Sequence, residues 1–177
     1  MEELLSQAQV RKALDDLYQA IVKHLPADAP LAVIGVRTRG EIIAQRLADR
    51  LAERFGKIDR GVLDITFYRD DLSRRKGAPL VRATDIDFDL DDKVVLLVDD
   101  VLHTGRSIRA AMDAIMDFGR PRIIRLAVLI DRGGRELPIA ADFVGRRLDV
   151  PDHLRVQVNL TEQDQRDAVF LIKSNRP

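Results

Sequence analysis

Apolar positions along the chain recur in two alternating periods. Val10, Leu14, Leu17, Ile21 and Leu25 step by three and four, which predicts an amphipathic helix over about residues 6–25, closed by Pro26 and Pro30. Leu31–Val36 is a short continuous apolar run, read as a buried strand, and Arg37-Thr38-Arg39-Gly40 turns it. Ile43, Leu47 and Leu51, with Ala44, Ala48 and Phe55, predict a second helix ending at Gly56. Val62–Tyr68 alternates as a strand. Val94–Asp99 is an apolar strand entering two acids, and Ile108, Ala111, Met112 and Ile115 mark a helix stopped by Gly119 and Pro121. Ile123–Ile130 is a further apolar strand turned by Asp131-Arg132-Gly133-Gly134, and Val156–Leu160 and Val169–Ile172 read as short strands.

Strands alternating with helices predict an α/β fold with a mostly parallel sheet covered on both faces. With 177 residues, 46% of them hydrophobic, a single domain with a sizeable core is expected. Two stretches break the helical pattern. Residues 69–83 carry seven charges and no period, so a mobile loop is expected there. Residues 84–92, TDIDFDLDD, alternate Ile86, Phe88 and Leu90 with acids, as a half-exposed edge strand does.

Composition narrows the chemistry. The 29 basic and 29 acidic residues cancel, which argues against a surface that is polycationic throughout. Cysteine is absent, so disulfides, thiolate metal sites and Cys nucleophiles are excluded, and three scattered histidines do not suggest a metal cluster. No apolar stretch approaches the ~18 residues of a membrane span, and the polar N-terminus is unlike a signal peptide; a cytoplasmic protein is expected.

The chemistry concentrates at strand ends, where open α/β sheets bind ligands. In VVLLVDDVLHTGRS, Asp99 and Asp100 follow a buried run. One acid can bind a vicinal diol, and the other can act near magnesium or a developing positive charge. His103-Thr104-Gly105-Arg106-Ser107 then opens a helix whose first N–H groups, with the Thr104 and Ser107 hydroxyls, suit a phosphate. At the previous strand end, Arg39 has the chemistry to clamp a pyrophosphate beside a second helix start. Neither a P-loop nor GxGxxG is present, which disfavours an NTPase or a dinucleotide enzyme.

Val95–Ser107 resembles the type I phosphoribosyltransferase signature. VRTRG, LDITFYRDDLS, LVDDVLHTGRS, MDFGRPR, LAVLIDRGGRELPI and ADFVG together resemble the pyrimidine operon attenuator/uracil phosphoribosyltransferase family over nearly the whole chain. The resemblance implies a type I phosphoribosyltransferase fold with a small C-terminal hood. It implies that uracil and phosphoribosyl pyrophosphate (PRPP) give UMP and pyrophosphate with Mg2+, held near Asp99 and Asp100. By resemblance, Asp99 and Asp100 hold the ribose hydroxyls of PRPP. His103, Thr104, Gly105, Arg106 and Ser107 hold the 5-phosphate, Val101 and Leu102 before them are further substrate-binding candidates, and Thr38-Arg39-Gly40 forms the pyrophosphate loop. Tyr68 and Arg69 root a closing loop over residues 69–83, and Asp131, Arg132, Phe143 and Val144 surround the uracil. Asp99, Asp100, Arg39 and His103 are the candidate catalytic residues. His103 replaces an expected tyrosine and stands where purine-using relatives carry an acid/base aspartate; donation to phosphate is the favoured role.

The family also binds the messenger-RNA leader of the pyrimidine operon when UMP is bound, promoting transcription termination. Here the chain departs from the expected pattern. Asp15 and Asp16 replace a threonine and an arginine, Gly134 replaces a histidine and Ala140 an arginine, while Arg135 and Arg146 remain basic. Acids on a contact helix repel phosphate. Catalysis is therefore weighted above attenuation. A homo-oligomer is expected, with the N-terminal helix and Phe88 as interface candidates.

Overall fold

The structure, a computed structural model, describes residues 1–69 and 83–173. In chain order the elements are β1 (Glu2–Leu5), α1 (Gln7–His24), β2 (Leu31–Val36), α2 (Arg39–Phe55), β3 (Asp59–Leu63), a 3-10 turn (Thr66–Tyr68), β4 (Val94–Leu102), α3 (Arg106–Met116), β5 (Ile123–Asp131), β6 (Phe143–Arg147), β7 (Leu154–Asn159), α4 (Thr161–Asp164) and β8 (Ala168–Lys173). Five strands form one sheet in the order β3-β2-β4-β5-β6, every pairing parallel. The remaining three, β1-β8-β7, form an antiparallel sheet that carries α4 between its last two strands and makes a small hood.

The large sheet explains the unbroken apolar runs. Successive side chains of a strand face opposite sides. Leu31, Val33, Val94, Leu96, Val98 and Leu129 pack with α1 and α2, while Ala32, Ile34, Val95, Leu97, Leu126 and Val128 pack with α3. Both faces are covered, so neither alternate set is polar. Helix α1 follows the predicted period, and at its start the Ser6 N–H donates to Gln9 Oε1 at 2.9 Å.

Several expectations are corrected. The strand predicted over Val62–Tyr68 begins at Asp59 and stops at Leu63. Asp64 Oδ1 then accepts the Thr66 N–H at 2.8 Å and the Thr66 hydroxyl at 2.5 Å, a local turn that draws the chain out of the sheet. Residues 84–92 form no edge strand. Only Asp85 bridges, to Val62, although Ile86, Phe88 and Leu90 turn toward the α3-side core and the acids turn outward, as the alternation implied. Phe88 is thus half-buried in that core rather than an exposed interface residue. β4 runs on to Leu102, so the two acids lie inside its last turns rather than beyond it. β1 and β6 carry no apolar run and were not predicted. Gly145 in β6 admits the close pass of α1: a Cβ there would sit 2.8 Å from Leu129 O and 2.9 Å from Ala13 O. The 69–83 loop expectation falls mainly on residues 70–82, outside the described residues. No helix among the described residues is long and apolar enough to cross a membrane.

Counted from β2, the large sheet has the doubly wound order 2-1-3-4-5, whose direction reverses between β2 and β4. Crevices at such a reversal, beyond the carboxyl ends, are where open α/β sheets bind ligands.

Candidate active site

Both anion-suited turns lie at that reversal. α2 starts at Arg39 directly after β2, and α3 starts at Arg106 directly after β4. Each helix start offers N–H groups without intrahelical acceptors and the positive end of a dipole. A glycine seats the first of them on β4. A Cβ at Gly40 would lie 2.7 Å from Val98 O, 3.0 Å from Asp99 Cα and 3.2 Å from Asp99 Oδ1, so the start of α2 rests on the acid-bearing end of β4. Gly105 caps α3 at φ +91°, a conformation that favours glycine. The Arg37–Thr38 peptide bond is cis.

The α3 turn is braced from behind. Thr104 O accepts the N–H groups of Glu136 (3.0 Å) and Leu137 (3.1 Å). Arg135 donates to Ile139 O (2.9 Å), His103 O (2.7 Å) and Asp131 Oδ1 (2.6 Å), joining the end of β5 to the same turn. Sequence reasoning treated Arg135 as a surface cation; its guanidinium is committed inside the molecule. Ser107 lies half-buried and Arg106 exposed in the first turn of α3, and Arg106 Nε meets Glu136 at 2.5 Å.

Between the two turns stand the acids. Asp99 is buried and Asp100 half-buried. Burial pushes the Asp99 carboxyl well above the ordinary range, the adjacent Asp100 charge pushes it the same way, and the Arg69 charge opposes them. Arg69 is thereby placed within electrostatic reach of Asp99. Asp99 Oδ1 accepts the Asp100 N–H at 2.9 Å, and Asp100 Oδ1 accepts the Val101 N–H at 2.8 Å. Val101 and Leu102 continue β4, paired to Ile130 and Asp131, and Leu102 is core.

Other candidates go elsewhere. The Tyr68 hydroxyl donates to Asp117, at the far end of α3, about 16 Å along the helix from the turn. Phe143 and Val144 pair with Ala127 and Val128 at the start of β6 and pack in the two cores. They lie about 10–13 Å below the strand ends, at 3.3 Å per residue. The structure does not bring these two to the site. Arg132 is buried, and its guanidinium staples Leu154 O (2.7 Å), Val150 O (3.0 Å) and Pro151 O (3.2 Å), holding the connection to the hood. Asp131 does reach the strand ends. It lines an open cleft of about 530 Å³ with Gly133, Arg135, Arg147, Leu148 and Asp149. The last three were missed, because β6 was. His103 packs against Gly134, where a Cβ would come within 2.8 Å of its Nε2. The glycine that replaces an expected histidine thus makes room for the histidine that replaces an expected tyrosine.

Arg39 has a partner that sequence reasoning missed. Its Nε and Nη2 grip Asp164 of α4 at 3.2 and 2.8 Å. Seven residues on, Arg46 meets Glu162 and Asp167, and Asp167 is held down at about 2, first by the Arg46 hydrogen bonds against the opposing effect of burial.

No group of three or more His, Asp or Glu side chains suited to a metal occurs among the described residues. Asp99 and Asp100 supply two adjacent carboxylates. That fits Mg2+, which takes one or two protein carboxylates and fills its shell with water and phosphate oxygens.

Paired anion turns flanking two acids, at the reversal of a 2-1-3-4-5 parallel sheet under a hood, define a transferase for a phosphorylated sugar. The chain belongs to the phosphoribosyltransferase family: the phosphoribosyl transferase domain model matches residues 1–160. The particular relatives are more specific. The chain is 51% identical over 169 residues to "Bifunctional protein PyrR" of Deinococcus radiodurans, covering 95% of this chain and 92% of that one. It is 49% identical over 171 residues to the protein of the same name from Bacillus cereus strain AH820, covering 95% of each. Among solved structures, the hypoxanthine phosphoribosyltransferase of Trypanosoma cruzi shares the fold with a TM-score of 0.72 at 18% identity, over 97% of this chain and 95% of that one.

Proposed function

We propose that this phosphoribosyltransferase converts uracil and PRPP to UMP and pyrophosphate. The observation that carries the reading is the Gly40–Asp99 contact, which sets a turn for each end of PRPP on either side of the acids. The α3 turn, Thr104–Ser107, takes the 5-phosphate; the α2 start, Thr38–Gly40, takes the pyrophosphate; Asp99 and Asp100 take the ribose hydroxyls. Uracil lies in the cleft beside Asp131, where backbone groups of the 131–134 turn meet its polar edge. Its N1 bonds to the anomeric carbon as the bond to pyrophosphate breaks, and the N1 proton passes to the departing pyrophosphate or to water. The two carboxylates favour the positive sugar that forms, and Arg39 favours the pyrophosphate that leaves. When bound, Mg2+ adds charge neutralisation on the diphosphate beside Asp99 and Asp100.

The expected result is pyrophosphate release with equal UMP formation, lost on chelation of Mg2+. Absence of turnover with uracil would overturn the reading. His103 packs on Gly134, and donation to phosphate is its favoured role, so His103→Phe is expected to lower kcat by less than about tenfold, short of the 10²-fold scale of a general acid/base.

The relatives are called bifunctional, which favours a second activity; by the family resemblance this is UMP-dependent binding of a leader RNA. The acids of α1 are less repulsive than their count suggests. Asp15 pairs with Arg50 at 2.8 Å and Asp16 with Lys12 at 2.9 Å. With Arg135 committed internally, catalysis remains the main reading. A titration of the operon's leader RNA across a salt series, with UMP present, is expected to give weak binding; nanomolar, UMP-dependent binding would restore the regulator. We extend the proposal to a cytoplasmic homo-oligomer, for which exposed Phe67, Met116 and Phe118 offer apolar surface.

A further inference from the structure

We propose that Asp164, in the hood, is the positioning residue for Arg39, so that the seating of the hood sets the affinity of the pyrophosphate turn. The inference rests on the PRPP reading above and goes beyond it by naming how the pyrophosphate arginine is aimed.

An arginine at the first position of a helix has a long, rotamer-rich side chain and no reason of its own to point at a ligand. Asp164 removes that freedom. Its two oxygens meet the Nε–Nη2 edge of Arg39 in a fork, at 3.2 and 2.8 Å, with both side chains largely shielded from solvent. Among the described residues Nη1 makes no hydrogen bond, which suits that edge to an anion. Asp164 is itself fixed: its Oδ2 also accepts the Leu160 N–H at 3.0 Å, within its own short helix. A carboxylate so tied down acts as a template for the arginine rather than as a loose counter-ion. Burial pushes its carboxyl up, but the Arg39 fork and the Leu160 N–H outweigh burial and hold it below the ordinary range, so it stays charged at neutral pH.

A second clamp sets where that template stands. Arg46, two turns beyond Arg39 on α2, binds Glu162 at 2.6 Å and Asp167 at 2.7 Å. Asp167 also accepts the N–H and the hydroxyl of Thr161, both at 2.8 Å. The Arg46 clamp therefore fixes α4 on α2, and α4 in turn presents Asp164 to Arg39. Without Asp164, ordering Arg39 falls on the substrate, at the usual cost of immobilising a flexible side chain, about 0.5–1.5 kcal/mol or roughly three- to tenfold in affinity.

The test is steady-state kinetics of Asp164→Asn, which keeps the shape and the Leu160 acceptor but not the charge, alongside Asp164→Glu, which keeps the charge. The expected result is a rise of roughly three- to tenfold in KM for PRPP and in Kd for inorganic pyrophosphate, with KM for uracil and kcat nearly unchanged, Tm lowered slightly by loss of the ion pair, and partial recovery in Asp164→Glu. A merely structural role would instead lower kcat along with Tm and leave KM for PRPP alone. An unchanged or lowered KM for PRPP, in a wild-type protein that turns over, overturns the positioning role. A wild-type protein with no PRPP turnover overturns the reading beneath it, and pyrophosphate binding unaffected by Asp164→Asn then overturns this inference as well.

Discussion

Asp99→Asn is expected to make the protein more stable and nearly inactive. The wild-type carboxyl is buried beside Asp100 and lifted above its ordinary range, so the folded state carries it as a charge only at a cost. Asparagine keeps the acceptor for the Asp100 N–H and removes that cost. The sign follows from linkage. A carboxyl raised in the folded state is harmless below its unfolded pKa of about 4 and destabilises increasingly as pH rises toward the folded value. The Tm advantage of Asp99→Asn should therefore vanish near pH 3 and grow through the acidic range. At neutral pH it should reach roughly 2–4 °C, the shift that about 1 kcal/mol produces in a chain of this size. Turnover should fall by about 10²-fold or more, since a charge aimed at the positive sugar is lost. Thermal melts across pH, paired with UMP formation, check both halves. A variant that is less stable at pH 7, or fully active, contradicts the role assigned to Asp99.

Gly40→Ala is expected to cost both stability and activity. The added Cβ would press on Val98 O at 2.7 Å and on Asp99 Cα at 3.0 Å, both backbone atoms that cannot swing aside. The start of α2 must lift from the end of β4. Overpacking of this kind costs about 1–3 kcal/mol. A displacement of the pyrophosphate turn by about 1 Å, relative to the acids and the α3 turn, is enough for about 10²-fold in rate. Denaturant unfolding and kcat/KM for PRPP measure the two. Near wild-type turnover would mean that the start of α2 need not rest on the end of β4.

The parts of this fold legible in the sequence are those whose cause is local. β2, β4 and β5 are buried on both faces, so their runs are unbroken, and Thr38–Gly40 and Thr104–Ser107 sit where strands meet helices. Strand ends plus acids thus point to the sheet reversal, where the candidate site is proposed. What was not legible depends on partners far along the chain. β6 has only Phe143 buried and carries Gly145, Arg146 and Arg147, so nothing in it reads as a strand until β5 lies beside it. Arg147, Leu148 and Asp149, which line the cleft beside Asp131, were lost with it. Phe143 and Val144 carried the family motif, yet register with Ala127 and Val128 puts them in the cores. Asp164 stands 125 residues from Arg39 in a polar stretch, TEQD, with no period to mark it. Arg135 read only as a basic residue, because a charged side chain gives no sign in sequence of the acceptors that surround it.

The central claim is that this chain uses a pyrimidine base, although a structural neighbour is a hypoxanthine phosphoribosyltransferase. The most direct measurement is nucleotide formation from PRPP and Mg2+ with uracil, cytosine, hypoxanthine and guanine offered one at a time. UMP from uracil, with kcat/KM at least about 10²-fold above that for each other base, is the expected result. IMP or GMP formed faster than UMP would contradict it.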